Sequence, residues 1–102
     1  MPHFLVRQAR GPAWDPERPR REQAGWEEHG DFVDRLAEQG RIVLGGPLDD
    51  VHGEYVMLVV VASDEGDARH IFDDDPWLDG VLRIDRIERW NLWVCAERLP
   101  PG

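Results

Sequence analysis

The 102-residue chain has one cysteine, Cys95, and one serine, Ser63. A lone cysteine closes no internal disulfide, and with no Cys pair and no HExxH array the sequence offers no metal site. No Gly-x-Ser-x-Gly elbow is present, which excludes serine-hydrolase chemistry. Cys95 has no basic neighbour but Arg98 and reads as a packing residue. Positive charge is scarce: 12 Lys+Arg stand against 21 Asp+Glu, a net charge of −9. Such a surface repels phosphate backbones and anionic lipid, so neither nucleic acid nor membrane is an expected partner. No run of about 18 apolar residues occurs, and the apolar start of MPHFLVRQAR is too short for a signal-peptide core. A cytoplasmic, reduced protein is the default expectation.

What is present fits one small domain, expected over residues 1–97, with a loose Pro-rich tail at 98–102. Phe4, Leu5 and Val6 mark a first strand over His3–Gln8. Pro12, Pro16 and Pro19 forbid regular structure over residues 11–19, which read as a connector or as a lid tipped by Trp14. From about Arg20 the period turns helical: Trp26, His29, Phe32, Val33, Leu36 and Ala37 fall on one stripe, and Gly40 suits the left-handed residue that ends a helix. A four-residue strand, Arg41–Leu44, is broken by Gly45, Gly46 and Pro47. Turn residues follow at 49–54, with Gly53 at the bend, and then the continuously apolar strand Tyr55–Ala62. Ser63 is the expected N-cap of a second helix that must stop by Asp75, ahead of Pro76. Pro76–Gly80 reads as one turn, and Val81–Cys95 as a long strand with a bulge near Arg86 and Glu88.

The order βαββαβ predicts an α+β, ferredoxin-like fold, with an antiparallel sheet and two helices on one face. The other face, carrying residues of the 55–62 and 90–94 strands, would be a large apolar patch if left in water. Monomers rarely show one, so a sheet-to-sheet homodimer, a dimeric α/β barrel, is expected.

Few residues carry chemistry. His29 lies on or beside the apolar stripe of the first helix, where an imidazole needs a hydrogen-bond partner; it is either a general acid or base or a core-edge histidine. Asp73, Asp74 and Asp75 sit at a helix C-terminus, a poor place for anions, and read as a solvated run. Asp75 is the exception, because Pro76 and Trp77 fix its backbone and shield it. Gly45-Gly46-Pro47 permits close approach of a ligand but is no phosphate loop. His3, His52 and His70 are scattered. Trp26, Trp77, Trp90 and Trp93 either wall an aromatic pocket or fill core and interface.

A histidine on helix one (Glu28-His29), then Gly40, Gly45-Gly46-Pro47-Leu48, an apolar strand, a helix ending in Asp75-Pro76, Gly80 and a closing strand with Trp90: this order resembles the YCII-related family from about Phe4 to Val94. The resemblance implies a ferredoxin-like dimer and a His–Asp pair in a cleft near the dimer interface. One branch of that family eliminates HCl from a chlorinated hydroxyquinol. Carried over, the histidine falls on His29 and the aspartate on Asp75, with Asp49 a rival, while Gly46 and Pro47 shape the cleft floor and Trp77 adjoins it. The implied activity is a cofactor-independent lyase or isomerase acting on a small metabolite, aromatic or not. The alternatives are a non-catalytic ligand-binding or interaction module and, by fold analogy alone, a cofactor-free oxygenase. The 11–19 loop departs from shorter members and leaves the substrate open.

Overall fold

The computed structural model describes residues 2–49 and 54–94. Strand β1 (His3–Arg10), helix α1 (Trp26–Glu38), β2 (Ile42–Pro47), β3 (Tyr55–Val61), helix α2 (Glu65–His70) and β4 (Leu82–Trp90) follow in that order, with short 3-10 turns at Arg20–Glu22 and Pro76–Leu78. The sheet is antiparallel with strand order β2-β3-β1-β4, the ferredoxin-like arrangement expected from the order of elements. Alternation along each strand decides the faces. Phe4, Val6, Val56, Leu58, Val60 and Ile42 point to the helices and form one core with Leu36, Ala68 and Phe72.

Several boundaries differ from the sequence reading, each for a local reason. α1 starts at Trp26, not near Arg20, because Gly25 adopts a left-handed conformation (φ 79°) that separates it from the 3-10 turn. Its other end is as expected, with Gly40 at φ 74°. β2 is not broken at Gly45 but continues to Pro47, since Pro47 lies on an edge strand, where a missing N–H is tolerated. The N-cap of α2 is Asp64, whose Oδ1 accepts from the Asp67 N–H at 2.7 Å; Ser63 lies one residue outside. The bulge on β4 falls at Asp85, where the register against β1 slips between Arg7 and Gln8. β4 ends at Trp90, so Asn91–Val94 are not strand. Cys95, His52, the Gly53 bend and the 98–102 tail lie outside the described residues.

The open face of the sheet is more polar than expected. Leu5, Leu44, Met57 and Val59 share it with Arg7, Asp85, Arg86 and Glu88. Arg7 Nε donates to Asp85 at 2.6 Å, and its guanidinium lies 4.7 Å from the centre of the Tyr55 ring. Trp90 is about half exposed at the end of this face, while Trp93 is almost fully exposed beyond it.

Candidate active site

Three separate pieces of chain converge at the N-terminal end of α1. The first is the Pro-rich loop after β1. Its Trp14 turns inward and is buried, packed edge-on against Trp77 with ring centres 6.1 Å apart. The guanidinium groups of Arg10 and Arg20 lie 4.7 and 5.0 Å from the centre of the Trp14 ring. Arg20 is held below the ordinary arginine range, first by burial and then by the charge of Arg10. Gln23, also buried, ties the loop down: its carboxamide accepts from the Asp15 N–H (3.0 Å) and donates to the carbonyls of Asp15 (2.7 Å) and Arg18 (2.8 Å). Residues 11–19 are therefore an ordered strap with Trp14 as its anchor.

The second piece is α1, which presents His29 from its first turns, and the third is the segment 75–77. Asp75 does not sit at the C-terminus of α2, which ends at His70, so the electrostatic objection to it disappears. It is instead the N-cap of the 3-10 turn that follows, with Oδ1 accepting the Trp77 N–H at 2.9 Å. An anion there faces the unpaired N–H groups of a helical start. Its side chain is wholly buried and also meets His29 Nδ1, at 2.8 Å from Oδ1 and 3.1 Å from Oδ2. An ionised carboxylate only accepts, so Nδ1–H is the donor and the neutral ring carries its lone pair on Nε2. Asp73 and Asp74 stay exposed, and Asp73 pairs with the exposed His70 at 2.9 Å.

Trp77 fixes the plane of the imidazole. Its ring stacks on that of His29 at 4.1 Å and 8°, and Trp26 leans on both from the side. The indole N–H is spent on the Ala24 carbonyl at 2.8 Å, and Trp77 is 1% exposed. At Gly25 a Cβ would stand 3.3 Å from this Nε1, so the glycine serves both the left-handed turn and the indole beside it. The His29 side chain keeps 11% of its surface, so the pair is shielded but not sealed.

The other expected site residues are not brought to the pair. Asp49 is exposed past the end of β2 and makes no bond to His29; Asp75 makes it. Gly46 stands opposite Met57 on the open face of the sheet, and a Cβ there would meet nothing. The glycine that sterics demand is Gly45, where a Cβ would run into the Leu58 side chain and lie 2.9 Å from the Met57 carbonyl oxygen. Pro47 is exposed at the edge, level with Val56. Trp77 touches the imidazole rather than open space, and the tryptophans that gather at the pair are Trp14, Trp26 and Trp77, not Trp90 or Trp93. Trp14, offered by the sequence as the tip of a lid, is turned inward by tertiary contact with Trp77. A groove of about 520 Å³ runs beside the pair, lined by its chain neighbours Glu28, Asp74 and Pro76 with Phe32 and Ile71, but by neither His29 nor Asp75. Among the described residues no three His, Cys, Asp or Glu side chains are placed to hold a metal, and no helix is long and apolar enough to cross a membrane.

Fold and site together define a ferredoxin-like α+β domain with a shielded His–Asp pair braced by tryptophan. The chain belongs to the YCII-related domain family, whose family model matches residues 1–91. Among solved structures it is similar to the 5-chloro-2-hydroxyhydroquinone dehydrochlorinase of Burkholderia phenoliruptrix AC1100, determined in complex with 2,5-dihydroxybenzoquinone. The TM-score is 0.57 at 20% identity over 87% of this chain and 93% of that one. Comparison with curated proteins finds no significant match.

Proposed function

We propose that the domain is a small enzyme of lyase or isomerase type that moves a proton on a compact, hydroxylated or aromatic metabolite, without a bound cofactor. The observation that carries this reading is the buried Nδ1–carboxylate bond of His29 and Asp75, backed by the stacked Trp77. Asp75 holds one tautomer and stabilises the imidazolium that forms when Nε2 takes a proton. A proton removed from a ring hydroxyl or an adjacent carbon leaves its electron pair in the conjugated system. Return of the proton to a chlorine-bearing carbon lets a second hydroxyl proton leave as its electron pair, passed through the ring, expels chloride, whereas return at another carbon alone is an isomerisation. The first outcome is the net loss of HCl, the reaction that names the structural neighbour. The working form in this reading is a cytoplasmic homodimer joined across the open sheet face, with Leu5, Met57 and Val59 at its centre.

The test is chloride release from 5-chloro-2-hydroxyhydroquinone, together with a screen of small hydroxylated aromatics and keto acids for isomerisation. His29→Gln should lower kcat by about 10²–10⁴-fold, the usual contribution of a positioned acid or base. Asp75→Asn should also lower kcat, by removing the charge that stabilises the imidazolium. Turnover that survives His29→Gln would leave the pair a structural one and the domain a binding module.

A further inference from the structure

The three residues ahead of α1 each hold a different part of the site. The Gln23 carboxamide grips the strap, the Ala24 carbonyl accepts from the Trp77 indole at 2.8 Å, and the Gly25 carbonyl accepts the His29 backbone N–H at 2.9 Å. Strap, indole and histidine are thus joined at one short stretch of backbone.

The strap has need of such a grip. Pro12, Pro16 and Pro19 remove backbone donors and bar both a helix and a ladder. At its start, the N–H groups of Gly11 and Ala13 donate to the carbonyls of Val81 and Gly80, both at 2.8 Å, and a Cβ at Gly11 would run into the Gly80 carbonyl oxygen. Residues 15–18 are fastened by Gln23, which is 4% exposed and makes all three of its side-chain bonds to them. Freezing such a side chain costs up to about 2 kcal/mol of rotamer entropy, and in a plain connector water would satisfy the same groups. Between the two fastenings sits Trp14. Its ring meets Trp77, and Trp77 stacks on the imidazole.

The stack matters because the bond from Nδ1 to Asp75 fixes one atom of the imidazole and leaves rotation about that bond open. The flat indole closes it. The lone pair of Nε2 lies in the ring plane, so the plane decides where it points. Close-packed rings pass displacement on, and a shift of Trp14 reaches the imidazole through Trp77.

We infer that Gln23 is a positioning residue of the His–Asp pair, which by clamping the strap seats Trp14 against Trp77 and so sets the plane of the His29 imidazole. The use of that ring to carry a proton rests on the proposed function; its placement does not.

The experiment follows the ring protons of His29 by NMR in the full-length protein, assigned by their loss in His29→Gln. Protons held over an indole face resonate upfield, so in the wild type they should lie upfield of those of the exposed His70. Gln23→Met keeps the bulk of the side chain without its hydrogen bonds, and Trp14→Leu removes the ring that the strap delivers. Both should move the His29 resonances toward those of His70. Gly40→Ala is the control: it strains the far end of α1, at φ 74°, and should lower the Tm while leaving these resonances in place. His29 resonances unchanged in Gln23→Met overturn the inference, as does an equal displacement in Gly40→Ala, which would make it a consequence of lost stability. If Gln23→Met does not fold, Trp14→Leu decides by the same criterion; if neither folds, the strap is core and the inference fails. Where the wild type turns over a substrate, kcat of Gln23→Met should fall about tenfold or more with KM within about twofold. An unchanged kcat beside displaced resonances overturns the proposed role of His29 and leaves its positioning by Gln23 standing.

Discussion

Replacing Asp75 with alanine removes two hydrogen bonds at once, and the structure allows the cost of each to be worked out. The Trp77 N–H loses its capping acceptor, which costs about 1 kcal/mol for a helical start. The Nδ1–H of His29 loses the carboxylate and, with 11% of the side chain exposed, is left nearly unsolvated, at about 1–3 kcal/mol. Together these make about 2–4 kcal/mol, or about 10–25 °C in Tm for a domain of this length. Asparagine is the informative contrast. It keeps an acceptor for the Trp77 N–H and is itself a good N-cap, so Asp75→Asn should cost only about 1 kcal/mol. The measurement is urea unfolding followed by tryptophan fluorescence, at one fixed protein concentration because association would shift the midpoint. A cycle of Asp75→Ala, His29→Gln and the double variant should return a coupling of about 1–3 kcal/mol. Equal costs for alanine and asparagine, or a coupling near zero, would refute the claim that the carboxylate is shared between the imidazole and the turn.

Other expectations follow from neighbouring geometry. Gly25→Ala should cost about 1–2 kcal/mol, since it forces a left-handed conformation (φ 79°) on a residue with a Cβ beside the Trp77 indole; a Tm change under about 3 °C would count against it. The Asp85 carboxyl is held below its ordinary range, first by the Arg7 hydrogen bond and then by that of Arg83; Asp67 is also lowered, first by the Ser63 N–H. Lowered folded values mean that both groups stabilise the fold above about pH 4 and lose that contribution as pH falls through the folded values. Asp85→Asn should therefore flatten the acid side of a stability-versus-pH curve and leave its neutral-to-alkaline slope unchanged. In sedimentation the wild type should run at twice the 11.8 kDa chain mass, and Met57→Asp on the open sheet face should shift it to the monomer.

Much of the frame is legible in the sequence alone, because local rules govern it. The stripe Trp26–His29–Phe32–Val33–Leu36 repeats at helical spacing, and its lysine-free acidic face leaves only one side to bury. Gly40 ends the helix as expected, and the apolar run Tyr55–Ala62, read as a covered strand, forms one over Tyr55–Val61. Boundaries slipped where a single backbone feature intervened: the left-handed Gly25, the edge position of Pro47, the choice of Asp64 over Ser63 as cap. These are decided by differences of about 1 kcal/mol between adjacent residues, below what composition and periodicity resolve.

The order of strands and helices and the apolar stripe on which His29 lies were determined by the sequence itself, since spacing along the chain dictates which residues share a face; the pairing of His29 with Asp75 was implied only by the family resemblance. Only the tertiary structure decided that two residues 46 positions apart meet so that Nδ1 lies 2.8 Å from a carboxylate oxygen, that Trp77 lies flat against the imidazole, and that Trp14 folds in as the outer wall. Periodicity carries one-dimensional information about which side of an element is buried. The pairing of two polar groups in a dry site depends on loop closure and on the angle at which separate elements meet, and neither quantity is written in any local window of the chain.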